Sequence, residues 1–160
     1  MTLPLTPSQT VGPFYSIGLS RRPENELVPP TDPTAVALVG RLLDGEGEPI
    51  DGMIELWDHG SRRWGRSGTD ADGWFRFTIA KPEGREGEAP RLDVYVFARG
   101  LLRHQLTRIY FPGEPANEAD PVLSRLGDDE RAVLTAREED GGLRFDVRMQ
   151  GDGAAVFFAV

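Results

Sequence analysis

The sequence predicts an all-β fold: an antiparallel β-sandwich of seven or eight core strands behind an extended N-terminal arm. Three observations carry that prediction. Short runs rich in β-branched and aromatic residues, several alternating apolar with polar, recur from residue 36 onward. Nineteen glycines and 13 prolines separate those runs with turn signals. No stretch holds the sustained 3.6-residue period of a strong amphipathic helix.

Residues 1–35 read as arm and linker, and 36–160 as the sandwich core, with one domain overall. The arm stretch TPSQTVGPFYSIGL, residues 6–19, has no charged side chain. Its two prolines and two glycines make it a poor helix and a poor central strand. RRPENELVPPTDPT has neither strand nor helix period and reads as an extended lead-in. VALVGRLLD is then a strand, closed by the turn signal DGEGEPIDG. MIELWD is the next, and WDHGSRRWG is turn-like. TDADGWFRFTIAKPEG holds an Asp-Gly turn and a strand that sets Trp74, Arg76 and Thr78 against Phe75, Phe77 and Ile79. RLDVYVFARG and LLRHQLTRIYF are two more strands. One short helix fits within PVLSRLGDDERAVL, a hairpin turns at EEDGG, and AAVFFAV is a final strand.

Composition excludes several functions. With 26 acidic against 18 basic residues the net charge is −8, so a nucleic acid or an anionic membrane is a poor partner. Zero cysteines rule out disulfides, thiolate metal sites and a thiol nucleophile. No apolar run nears the ~20 residues of a membrane span, and MTLPLTPSQT is no secretory signal, so the cytoplasm is expected.

The residues fit for chemistry are few: two histidines, His59 and His104, and three tyrosines, Tyr15, Tyr95 and Tyr110. His59 reads as a solvated loop residue, and His104 as a packed residue on a strand face shared with Leu102, Leu106, Arg108 and Tyr110. On a straight strand His104 and Tyr110 stand roughly 20 Å apart, too far for one metal. No H-x-H, HExxH, G-x-S-x-G or phosphate-loop pattern is present, and DGEGE and DADGW lack the twelfth-position glutamate of a calcium loop. Arg108 lies in a largely apolar or neutral strand. It is either half of an internal ion pair, the favoured reading, or a guanidinium beside an anion-binding cleft. The arm is either a rigid strip lining a pocket or a staple that tucks its aromatics onto the sandwich.

TPSQTVGPFYSIGL, GEPIDGMIELWD, DGWFRFTIAKP, VYVFARGLLRHQLTRIYF and FDVRMQGDGAAVFF occur in this order, and together they resemble the intradiol ring-cleaving dioxygenases from about residue 5 to 160. The family implies a β-sandwich. Its two-chain members imply homologous alpha and beta chains, the beta chain holding Fe(III) through two tyrosines and two histidines. The implied reaction opens protocatechuate between its hydroxyls with dioxygen, giving 3-carboxy-cis,cis-muconate. The ligand positions depart from that pattern here. Arg91 and Asp93 stand in the place of the two histidines, and neither EGREGEAP nor DHGSRRWGRSG carries a tyrosine. The resemblance therefore implies an alpha-type chain with no metal of its own and no catalytic residue, completed by a beta-chain partner in a higher hetero-oligomer. By position it assigns Thr10, Gly12, Pro13 and Phe14 to the lining of the partner's pocket and Arg108 to its vicinity. Tyr15 is a further pocket candidate, pointing the opposite way on an extended arm. The arm's aromatics and AAVFFAV are expected at the interface. The alternatives are a stand-alone transthyretin-like binding or structural module, and a complete dioxygenase with an unusual ligand set.

Overall fold

Alternation along β1 (Val36–Leu43) buries Leu38, Gly40 and Leu42 and leaves the residues between them more exposed, so this strand becomes the spine of one sheet. The structure is a computed structural model that describes residues 3–19 and 24–159. β1 pairs antiparallel with β4 (Trp74–Ile79) and parallel with both β8 (Gly142–Arg144) and β9 (Val147–Arg148); β7 (Arg137–Glu139) completes the sheet beside β8. The second sheet is antiparallel, in the order β3 (Arg63–Gly68), β2 (Gly52–Asp58), β5 (Arg91–Ala98), β6 (Gln105–Tyr110). The expected sandwich is present, with one sheet mixed rather than wholly antiparallel.

Leu38, Leu42, Phe75, Phe77 and Ile79 meet Ile54, Leu56, Leu92, Val94, Val96 and Ile109 in the core between the sheets. Gly40 is required there because the Phe145 backbone passes directly over it. A Cβ at this position would lie 1.7 Å from the Phe145 carbonyl oxygen. A smaller cluster of Ala89, Tyr110, Leu123 and Leu134 sits under α2 (Asp128–Leu134), the one helix expected in that stretch. Asp128, Asp129 and Glu130 open α2 where the helix dipole favours negative charge, and the Glu130 carboxylate accepts from the Gly127 N–H at 3.0 Å.

Three local expectations change. WDHGSRRWG runs from the end of β2 through a turn into strand β3, hidden because Arg63, Gly65, Arg66 and Gly68 give no apolar alternation; its register with β2 is what builds it. AAVFFAV is not a strand. Within the described residues its backbone pairs with β6 at a single bridge, Leu106 to Phe158, and its other contacts there are to the Thr107 and Arg108 side chains. The arm is not extended throughout: Tyr15–Leu19 forms a five-residue helical turn, α1.

The lead-in is stitched into the sandwich. Residues 25–27 bond to β4 through Leu27 N–H to the Thr78 carbonyl (2.8 Å) and Thr78 N–H to the Asn25 carbonyl (3.0 Å). Glu24 accepts from the Arg66 N–H of β3 at 2.7 Å, so the segment spans from one sheet to the other. No described helix is long and apolar enough to cross a membrane.

Candidate functional site

The outer face of the β3–β2–β5–β6 sheet carries the residues singled out above. In β5, Leu92, Val94 and Val96 point into the core, so Arg91, Asp93, Tyr95 and Phe97 face outward. The register aligns Trp57 of β2, Asp93 of β5 and Arg108 of β6 in one row across three strands.

Asp93, its side chain 10% exposed, is the hub of a charge cluster. Arg108 Nε lies 3.4 Å and Arg91 Nε 3.7 Å from Asp93 Oδ1. His59 Nε2 lies 2.7 Å from Asp93 Oδ2, and the Trp57 indole N–H donates to His59 Nδ1 at 2.8 Å. An indole nitrogen can only donate, so Nδ1 carries no proton and Nε2–H donates to Asp93. His59 is thus partnered on both ring nitrogens, while its side chain, 38% exposed in the turn after β2, still meets solvent as the sequence suggested. Asp58, buried at the end of β2, holds the loop under it by accepting from the Gly60 N–H (2.9 Å), the Ser61 N–H (3.2 Å) and the Ser61 hydroxyl. Arg91 also donates to Glu88 at 2.8 Å. Burial pulls its guanidinium down, but Glu88 and the nearby acidic groups push it up further, for a net rise. Arg108 is covered by the C-terminal segment, its guanidinium 4.7 Å from the Phe158 ring centre. Its geometry is that of the ion pair.

At the other end of the same face the arm crosses the β5–β6 turn. The Thr10 hydroxyl accepts from the Gly100 N–H at 2.8 Å and donates to the Ala98 carbonyl at 3.4 Å. Gly100 turns here at φ +91°, a backbone conformation that favours glycine. Between arm and sheet lies a cleft of about 460 Å³, bordered by Ser8, Gln9, Val11, Phe97, Leu102 and His104. His104 packs 5.3 Å from the Tyr95 ring and 5.5 Å from the Phe97 ring, as a packed histidine should. Gly12, Pro13 and Phe14 lie on the surface, Phe14 75% exposed, while Tyr15 turns inward to 8% and donates to Asp51 Oδ1 at 2.9 Å. The helical turn at residue 15 is the reason: it brings the phenol back toward the sandwich where an extended arm would not. The arm residues and Arg108 do not meet in one place. Ala98 is five steps along β5 from Asp93, roughly 17 Å on a strand.

Apolar exposure gathers at the arm. Leu3, Leu5, Phe14, Ile17 and Leu19 are all exposed, whereas Val156, Phe157 and Phe158 of the expected C-terminal interface are half-covered by their own chain. Sequence reasoning missed Asp51 and the Trp57–His59–Asp93 relay. Asp51 follows a glycine-rich turn and carries no distinguishing pattern. Trp57 and Asp93 are 36 residues apart in sequence and meet only through the β2–β5 register.

No family model matches the chain. A protocatechuate 3,4-dioxygenase alpha chain from Burkholderia cepacia is 39% identical over a 196-residue alignment that covers 99% of both proteins. The chain belongs to the protocatechuate 3,4-dioxygenase alpha-chain family. A Pseudomonas putida alpha chain of the same name is 35% identical, over 98% of this chain and 96% of its own length. The alignment with the Burkholderia protein has 196 positions against 160 residues here, so that relative carries at least 36 residues this chain lacks. A Burkholderia cepacia protocatechuate 3,4-dioxygenase beta chain is 27% identical over 74% of this chain and 66% of its own, which makes alpha- and beta-chain proteins both homologues. Among solved structures, the dioxygenase domain of a carbohydrate-binding fusion from Streptomyces sp. SirexAA-E superposes at TM-score 0.63 with 22% identity, covering 91% of this chain and 99% of that one; it shares the fold.

A ferric ion does not fit the charge cluster. The two positions that the family resemblance assigns to histidine ligands hold Arg91 and Asp93, and Asp93 already faces two guanidinium groups that would repel a cation. Among the described residues no group of three or more His, Asp or Glu side chains converges as a metal would require. All three tyrosines are held in the neutral form. Burial pushes each phenol up, Asp51 adds to this at Tyr15, Asp93 and Glu55 add at Tyr95, and at Tyr110 burial outweighs the Arg108 contact.

Proposed function

We propose that this chain is the alpha-type subunit of a cytoplasmic protocatechuate 3,4-dioxygenase, completed by a beta-type chain. The ferric ion that the intradiol cleavage with dioxygen requires would be held by that partner. The part played by this chain is to wall the pocket. Thr10, Gly12, Pro13 and Phe14 would lie against the aromatic acid, hold its ring and keep bulk water out. Gly12 suits this role because a Cβ there meets nothing within 4 Å, so the surface around it stays open to a close neighbour. Pro13 stiffens the strip. Arg108, its charge taken up by Asp93, would act by shaping the adjoining face and not as a free anion-binding group.

The observation that carries this reading is the placement of the uncharged arm. It is fastened to the body at Thr10 and Tyr15, yet presents Gly12–Phe14 outward, away from its own sandwich. An apolar strip displayed in that way suits a second chain. The test is co-expression with a beta-type chain. A co-purifying complex should contain iron and cleave protocatechuate, while the chain alone does neither. One equivalent of tightly held iron with turnover in the isolated chain would overturn the reading.

A further inference from the structure

The arm is gripped on both sides of the strip it presents. On the N-terminal side, Thr10 bonds to the backbone at Ala98 and Gly100. On the C-terminal side the Tyr15 ring is buried and its phenol donates to Asp51 at 2.9 Å. The helical turn that buries Tyr15 is wired into the strip itself. Tyr15 N–H donates to the Gly12 carbonyl at 3.2 Å, and the Ile17 and Gly18 N–H groups donate to the Phe14 carbonyl at 3.2 and 3.3 Å. A shift of Tyr15 therefore moves Gly12 and Phe14 with it. A third hold secures the end of the turn: Arg66, fixed by Glu55 at 2.8 Å and stacked on Trp64, donates to the Leu19 carbonyl at 3.0 Å.

A simple apolar staple would need a ring and no hydroxyl. Here the hydroxyl is spent on Asp51, an exposed residue immediately before β2, so it fixes the far end of the ring and the rotation of the turn. Burial, then the Asp51 bond and charge, push the phenol up against a smaller opposing pull from Arg99, which keeps the donor protonated.

We propose that Tyr15 and Asp51 form a positioning clamp which, with the Thr10 anchor, sets the height and direction of Gly12–Phe14 over the partner's pocket and so tunes affinity for the aromatic acid without touching it. The proposal rests on the subunit reading above. It reassigns Tyr15 from pocket lining to a residue that acts through its neighbours, and it adds Asp51.

The test uses the co-expressed complex, three single variants and one double. Tyr15→Phe is expected to raise KM for protocatechuate, and its dissociation constant measured without dioxygen, about five- to tenfold, with kcat within twofold. Asp51→Ala should match Tyr15→Phe, and combining the two should add nothing. Asp51→Asn keeps an oxygen that accepts the phenol proton and should restore affinity to within twofold of wild type. Amide exchange at Tyr15 and Ile17 should quicken in Tyr15→Phe and not in Asp51→Asn. Unchanged affinity in Tyr15→Phe, or equal loss in Asp51→Asn and Asp51→Ala, overturns the clamp. A wild-type complex that forms but never turns over defeats the subunit reading instead; the clamp is then judged on exchange, and unchanged exchange in Tyr15→Phe defeats it.

Discussion

Replacing Asp93 with alanine should be among the most damaging single changes on the outer sheet face. The carboxylate is the one negative group between the Arg91 and Arg108 Nε atoms, at 3.7 and 3.4 Å, and it also accepts the His59 proton at 2.7 Å. Its side chain is 10% exposed and those of Arg91 and Arg108 are 13% and 19%, so water screens the loss poorly. Breaking a buried ion pair from one side costs about 3–5 kcal/mol, because Arg108 stays desolvated without its carboxylate partner, although Arg91 keeps Glu88 at 2.8 Å. For a chain of 160 residues, 1 kcal/mol shifts Tm by about 2–4 °C, which gives a fall of roughly 6–20 °C. Scanning calorimetry at pH 7 and fixed protein concentration measures it. Asp93→Asn keeps an acceptor for His59 and should fall between wild type and Asp93→Ala. A triple change, Asp93→Leu with Arg91→Met and Arg108→Met, removes the charges together and should recover most of the loss. A fall of under about 2 °C for Asp93→Ala would refute the argument, since the guanidinium groups would then be hydrated where the structure buries them.

Two further outcomes follow from local geometry. Gly40→Ala forces a Cβ to 1.7 Å from a backbone oxygen and should cost more than about 3 kcal/mol, whereas Gly12→Ala meets nothing within 4 Å and should leave Tm within about 2 °C; thermal melts of the pair decide it. Asp120 is desolvated, which raises its carboxyl, but three backbone N–H bonds from Ala89, Val122 and Leu123 and one from the Tyr110 hydroxyl outweigh this and hold it below the usual range. A depressed folded value means stability that is fully present above the unfolded pKa near 4 and lost as pH falls through the lower folded value. Asp120→Asn should therefore lower stability at pH 7 and flatten its decline below about pH 4, as followed by urea unfolding at a series of pH values.

The sandwich was legible because alternation and turn chemistry are local. Leu38 and Leu42 of β1, Phe75 and Phe77 of β4 and the Asp-Gly hairpin at 140–141 each declare themselves within a few residues. Strand β3 did not, because Arg63, Arg66 and two glycines are held in line by β2 rather than by their own preference. The same division runs through the site. That Arg108 lies in an ion pair could be argued from its strand, but its partner Asp93 emerged only from the β5–β6 register. The Tyr15–Asp51 bond joins residues 36 apart and depends on a helical turn that two glycines and two prolines made look improbable.

The free side of β6 carries a last consequence. Phe158 N–H bonds to the Leu106 carbonyl at 2.8 Å, the Thr107 hydroxyl to the Val156 carbonyl at 2.8 Å, and Ala136 N–H to the Tyr110 carbonyl at 2.9 Å. Two of these bonds, to Leu106 and Tyr110, occupy backbone carbonyls along the border that would otherwise serve as a template for stray strands from other molecules. The tail supplies the Leu106 cover, so trimming it would bare that part of the rim on an acidic protein whose repulsive charge would then have more to do in keeping copies apart.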